Sequence, residues 1–132
     1  MLATSTVNGV PQDMLNSVVV EEGNGGQVQL STEEMVDFYA ESYGANAVSM
    51  LATLQCESEL KHDAHGDNGL AYGIAQFHEE TFNWFKVEAG MPELDYRSKE
   101  NQIELMAWAF ANDYAPHWSC WRKYKAKQLA MM

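Results

Sequence analysis

From residue 31 onward the apolar positions fall into helical spacing, interrupted once by a glycine-rich stretch. Ser31-Thr32-Glu33-Glu34 reads as a capping box, with Ser31 at the N-cap and Glu34 three residues on. Met35, Val36, Phe38 and Tyr39 then form a helical stripe that Gly44 ends. A second helix is expected from about Asn46 to Leu60, where Ala47, Met50, Leu51, Leu54 and Ser58 share one face. At about 100° per residue, Glu57 and Glu59 fall at opposite edges of that face, so periodicity does not choose between them. Glu79 to Ala89 predicts a third helix, with Phe82, Phe85 and Val87 available to pack and Gly90 and Pro92 closing it. Ser98 caps a fourth, whose stripe is Ile103, Met106, Ala107 and Phe110. Pro116 breaks the chain, and Trp118 to Leu129 gives a last short helix.

Between the second and third helices the pattern changes. His62 to Phe77 contains the turn cluster Gly66-Asp67-Asn68-Gly69 and a further Gly73, and reads as loop or short strand. Residues 1–30 form either a flexible lead-in or a short hairpin, Val18 to Leu30, around Gly23-Asn24-Gly25-Gly26. The expected fold is mainly α with minimal β: about five helices in one domain over residues 31–132, with a glycine-rich loop or short hairpin after the second.

A chain of 132 residues fits one domain, and 46% hydrophobic with 20% charged residues argues against wholesale disorder. The longest apolar runs fall far short of the about 20 residues needed to span a bilayer. The N-terminus has no charged start followed by an apolar core, so no secretory signal is visible. The net charge is −11, and residues 1–60 hold nine acids and no Lys or Arg. The chain therefore lacks the basic footprint of a nucleic-acid binder and the polybasic patch that attracts anionic lipid. Half of its eight basic residues, Arg122, Lys123, Lys125 and Lys127, crowd the C-terminus, where they complement a final helix dipole.

The candidate chemistry lies in Glu57-Ser58 and in Gly66-Asp67 followed by Tyr72-Gly73-Ile74-Ala75-Gln76-Phe77. A carboxyl at the edge of a core is partly desolvated, which raises its pKa and keeps it protonated as a general acid. Glycines let a backbone approach a ligand closely, and Gln76 offers both a donor and an acceptor.

These residues resemble the lysozyme-like superfamily, specifically the soluble lytic transglycosylases and the goose-type lysozymes. In the transglycosylases a Glu-Ser pair ends a buried helix and a Gly-x-x-Gln segment follows just under twenty residues later; here Glu57 and Gln76 are 19 positions apart. Ala40 to Leu51 is similar to that family's first helix pair, and Gly66-Asp67 looks more like the goose-type enzymes. The resemblance covers roughly residues 33–113. It implies that Glu57 is the catalytic acid and later base, that Asp67 helps position water, and that Ser58, Tyr72, Gly73, Gln76, Phe77, His78 and Tyr114 belong to the sugar groove. The implied substrate is the β-1,4 link between N-acetylmuramic acid and N-acetylglucosamine in peptidoglycan, cleaved by a monomer at the cell wall without a cofactor. Delivery would come from a phage, a secretion apparatus or a longer precursor.

Two positions depart from the pattern. His78 stands where the goose-type enzymes have a second Asp, and Tyr114, followed by Ala115-Pro116, is a weak substitute for the transglycosylases' Ala-Tyr-Asn segment. Inverting hydrolysis needs a second carboxylate with room for water, whereas a transglycosylase works with one Glu. The expectation is therefore a lytic transglycosylase, with a lysozyme using Glu57 and Asp67 as the first alternative and an inactive glycan-binding or structural module as the second. A metal site at His62, Asp63, His65, Asp67 and His78 is the least favoured, since these residues follow no recognised ligand spacing. Trp84 and Trp108 are assigned to the core, while Trp118 and Trp121 either close the core or stack on a sugar. Cys56 and Cys120 are either a disulfide tying the second helix to the C-terminal segment or two buried thiols.

Overall fold

The computed structural model describes residues 29–132 in full and, before them, the backbone of four two-residue strands. Strand β1 (Thr6–Val7) pairs antiparallel with β2 (Val10–Pro11), and β3 (Val20–Glu21) with β4 (Gln27–Val28). The glycine turn expected at 23–26 lies outside the described residues.

Five α-helices and one small sheet make up residues 29–132, a mainly α fold with minimal β. Helix α1 (Thr32–Tyr43) starts at the capping box: Ser31 Oγ accepts the Glu34 N–H at 3.1 Å, and Glu34 Oε1 accepts the Ser31 N–H at 2.8 Å. Gly44 ends it at φ 82°, a left-handed cap that glycine adopts without strain. Helix α2 (Ala47–Ser58) begins at Asn46, whose Oδ1 accepts the Ser49 N–H. It stops two residues before the expected Leu60, because Glu59 and Leu60 both take left-handed backbone, φ 54° and 63°. This turn sends the chain into the sheet.

The sheet orders β5 (His65–Gly66), β6 (Ala71–Tyr72) and β7 (Phe77–His78), all antiparallel, with a 3-10 turn at Asp67–Gly69 between the first two. Helix α3 (Glu79–Glu88) follows directly, then α4 (Lys99–Ala111), capped by Ser98 Oγ. A 3-10 turn at Ala115–His117 contains Pro116 and leads into α5 (Ser119–Ala130). Helix α1 packs along α4, and α2 lies between α1 and α5.

Helix α4 is the core helix. Gln102 to Ala107 are all buried, so the expected stripe understates a helix covered on most sides. Around it sit Tyr39, Met50, Leu54, Phe77 and Phe82, with Phe77 edge-on to Phe82 and Trp118. Full burial of such a Phe contributes about 1.5–3 kcal/mol. Two expectations for α3 are corrected: Val87 and Trp84 are 64% and 49% exposed, because only the Phe82–Phe85 edge of that helix meets the core.

Polar groups inside the core are paired. Gln102 Oε1 accepts the Ala75 N–H, and its Nε2 donates to the carbonyls of Tyr72 and Tyr96. Tyr43 donates to Glu104 at 2.6 Å and Tyr39 to Glu100, tying α1 to α4. Burial drives both tyrosines' pKa upward, and that of Glu104 as well.

Candidate active site

Glu57 occupies the last turn of α2 and faces the start of α5. Trp118, the N-cap of α5, provides no side-chain cap, and the Cys120 N–H is one of the free donors of the first turn. Glu57 Oε2 accepts that N–H at 3.3 Å. The neighbouring Cys56 is disulfide-bonded to Cys120, with Cα atoms 5.8 Å apart, which decides between the two expected states of these cysteines. Burial raises the pKa of Glu57, while the Cys120 N–H, Lys123 and Arg122 hold back the rise. Glu59, by contrast, is solvated, with its side chain 71% exposed beside Lys61.

The Glu57 carboxyl opens into a cleft of about 370 Å³ lined also by Asp67, Ala71, Gln76, His78, Thr81, His117, Trp118 and Ser119. The sheet builds its opposite wall. Gly66, Ala71 and His78 are cross-strand neighbours, and Asp67 follows Gly66 with φ 52°. Asp67 Oδ2 lies 2.7 Å from His78 Nε2, so two residues far apart in the turn and the strand meet at the rim. Burial, His78 and Arg122 lower the pKa of His117 and favour its neutral form.

The other residues assigned to the groove divide into three groups. His78 and Gln76 line the cleft, but both protons of the Gln76 amide go to the carbonyls of Ala64 and Gly73, so this side chain braces the loop. Tyr72 lies in an adjoining depression with His65, Tyr96 and Arg97, which shares His78 with the cleft. Tyr114 lies in a second one with Trp84 and Phe85, which shares Thr81 and His117 with the cleft. Ser58, Gly73 and Phe77 are all buried and line none of these depressions. The Ser58 hydroxyl reaches the Ile74 carbonyl at 2.7 Å and fastens α2 to the loop. Gly73 sits at φ 90° where a Cβ would overlap the Gln102 amide. Phe77 is fully buried core.

Thr81, His117 and Ser119 were missed. Their one sequence signal is position, in the first turn of α3 and around the start of α5, and that becomes a site only when the helices pack. Trp118 closes the core, with Nε1 donating to the Ala75 carbonyl, and Trp121 is half-buried. His62 is committed within the chain: Nδ1 accepts the Ile74 N–H and Nε2 faces the Arg97 carbonyl at 2.8 Å. Among the described residues no three His, Cys, Asp or Glu side chains are grouped to hold a metal.

No curated protein and no solved structure matches the chain at a significant level. A family match covers residues 26–132, which include the whole cleft. It bears out the lysozyme-like superfamily, through a family other than the two that the motifs resemble. The chain belongs to the phage tail lysozyme family, and with it to the lysozyme-like domains that act on peptidoglycan of the cell wall.

Proposed function

We propose that the domain hydrolyses the MurNAc-β-1,4-GlcNAc bond, with Glu57 as general acid and Asp67 as the second carboxylate. The observation that carries this reading is that the two carboxyl groups line one cleft. Glu57 is half-buried with a raised pKa, the environment that keeps a carboxyl protonated for donation to a glycosidic oxygen. Asp67 is held by His78 and is exposed, which suits a group that works on water. Glu57 protonates the leaving GlcNAc oxygen, and water completes the cleavage at the muramoyl carbon.

A lytic transglycosylase is the second reading. It is favoured by the difference in burial within the cleft, where Glu57 is half-buried and Asp67 is exposed, so that a single enclosed carboxyl faces the bond. Here Glu57 gives its proton to the leaving oxygen and then takes the proton of the muramoyl C6 hydroxyl, whose attack forms the 1,6-anhydro ring. Neither route requires a cofactor. In both readings His78 and Gln76 line the cleft at the scissile bond, and Tyr72 and Tyr114 extend the groove through the two adjoining depressions. The domain acts as a monomer, and delivery by a phage particle fits the family.

Mass spectrometry of peptidoglycan digested by the wild type, Glu57→Gln and Asp67→Asn tests these readings. Reducing ends that disappear in both variants support the hydrolase. Products one water lighter, retained in Asp67→Asn, support the transglycosylase instead. A folded wild type that yields no products refutes both readings and leaves a glycan-binding module.

A further inference from the structure

A solvent-facing tryptophan beside the cleft is unexplained by packing. Trp84 is 49% exposed, and it is the one exposed aromatic among the large hydrophobic side chains on the described surface. It stands one helical turn after Thr81 on α3, the i, i+3 spacing that puts both residues on one face. Thr81 lines the Glu57 cleft and also the adjoining notch of about 350 Å³, as does His117, so the two depressions are continuous. The three residues from Thr81 to Trp84 advance about 4.5 Å along the axis.

The notch is preformed. Trp84 meets the Tyr114 ring edge-on at 5.8 Å and leans on Phe85 at 5.3 Å. Tyr114 is in turn stacked on Trp108 at 5.6 Å, with the rings within 23° of parallel. These contacts hold an apolar platform in place before any ligand arrives, which lowers the ordering cost of binding. Its rim carries Glu80, Thr81 and His117, a few polar groups around an apolar floor. Such a floor suits the C–H face of a pyranose, and such a rim suits its hydroxyl and acetamido groups.

We propose that the Trp84–Tyr114 notch is a saccharide subsite, which holds an N-acetylhexosamine of the glycan strand beyond the bond cleaved at Glu57. Trp84 is the specificity-determining contact: it lets the domain favour strands long enough to fill the notch over short fragments. The occupant follows from continuity with the cleft, so the proposal rests on the glycan-cleavage reading of that cleft.

The test compares the wild type, Trp84→Ala, Trp84→Phe and Glu57→Gln on GlcNAc–MurNAc tetrasaccharide and octasaccharide. For Trp84→Ala the expected result on the octasaccharide is a KM raised about tenfold with kcat within about twofold, the size of a lost aromatic contact. The product lengths shift, and Trp84→Phe recovers most of the loss. Unchanged KM and product lengths in Trp84→Ala, with Glu57→Gln inactive, overturn the subsite while leaving the catalytic reading intact. A second readout does not depend on turnover. Octasaccharide binding to Glu57→Gln, followed by tryptophan fluorescence, should weaken about tenfold in Glu57→Gln/Trp84→Ala. An active Glu57→Gln with this weakening retains the subsite and refutes Glu57 as the acid.

Discussion

The carboxylate of Glu57 accepts the backbone N–H of Cys120, and those residues stand on two helices joined by the Cys56–Cys120 disulfide. Glu57 thus does for α5 what its N-cap residue, Trp118, does not: it supplies an oxygen to the first turn. The helix terminus and the two basic side chains favour the ionised acid, and burial favours the protonated one. Burial prevails, which leaves a carboxyl able both to give and to recover a proton.

Replacing Glu57 by Gln keeps an acceptor for the Cys120 N–H and removes the proton. The fold is expected to persist, and release of muropeptides to fall about 10²–10⁴-fold, the contribution of a positioned general acid. Circular dichroism together with a reducing-end or mass assay checks both halves. An active variant would move the acid role to another residue.

The same group sets a pH dependence of stability. The Glu57 pKa is raised above its ordinary value of 4.5, so the folded protein holds this proton more tightly than the unfolded chain. That stabilisation is complete below the unfolded pKa and is lost as pH rises through the folded value. Glu57→Gln should therefore be more stable than the wild type at neutral pH, with the gap closing below about 4.5. Urea titrations of both proteins from pH 3.5 to about 7.5 measure the gap. Wild-type activity should fall on the alkaline side, as the acid loses its proton.

Reducing the disulfide acts on stability and site together. The bridge closes a loop of 64 positions, and chain entropy assigns such a closure about 4 kcal/mol. Cys56→Ser/Cys120→Ser is expected to melt at a lower temperature by that measure and to lose activity well below its melting point, since α5 is then free to carry the Cys120 N–H away from Glu57. Calorimetry with a parallel digestion assay separates the two effects. Full activity in the folded double variant would show that α3 and the core hold the cleft without the bridge.

Much of this arrangement was legible locally. Ser31 and Ser98 each announce a helix start through a side chain that bonds within its own turn; the structure uses both and adds Asn46 as the cap of α2. Glu57 was not separable from Glu59 by periodicity, because the choice is made by α5, whose first turn arrives from 63 residues away. The glycine-rich motif was legible as a motif but not in its physical role. Ser58, Gly73 and Phe77 build the loop from beneath, and what faces the cleft is Asp67 and His78, joined by strand register. Trp84 follows a helical apolar pattern, yet α3 buries only one edge, and only tertiary packing shows which.

Gly73 and Gly69 provide a controlled comparison, since both have φ near 90°. A Cβ at Gly69 meets nothing within 4 Å, so Gly69→Ala should cost only the left-handed backbone, about 1–2 kcal/mol. A Cβ at Gly73 overlaps the Gln102 amide, which is itself fully buried and bonded to three backbone groups. Gly73→Ala should cost about 1–3 kcal/mol more than Gly69→Ala, the usual size of overpacking. Equal losses in denaturant titrations would mean that Gln102 moves aside freely.

Gln102→Leu tests that last point from the other side. Leucine keeps most of the volume but leaves the Ala75 N–H and the Tyr72 and Tyr96 carbonyls without this partner. Each buried group stripped of its bond costs about 1–3 kcal/mol, so a loss of several kcal/mol is expected. The loss should also reach the cleft. Ala75 accepts the Trp118 Nε1–H at 2.8 Å, Tyr72 lies in the β6 strand beside Ala71, and both Trp118 and Ala71 line the site. Activity measured at a temperature where Gln102→Leu remains folded should therefore fall as well. An unchanged kcat/KM there would confine Gln102 to the core and separate the stability of the loop from the shape of the cleft.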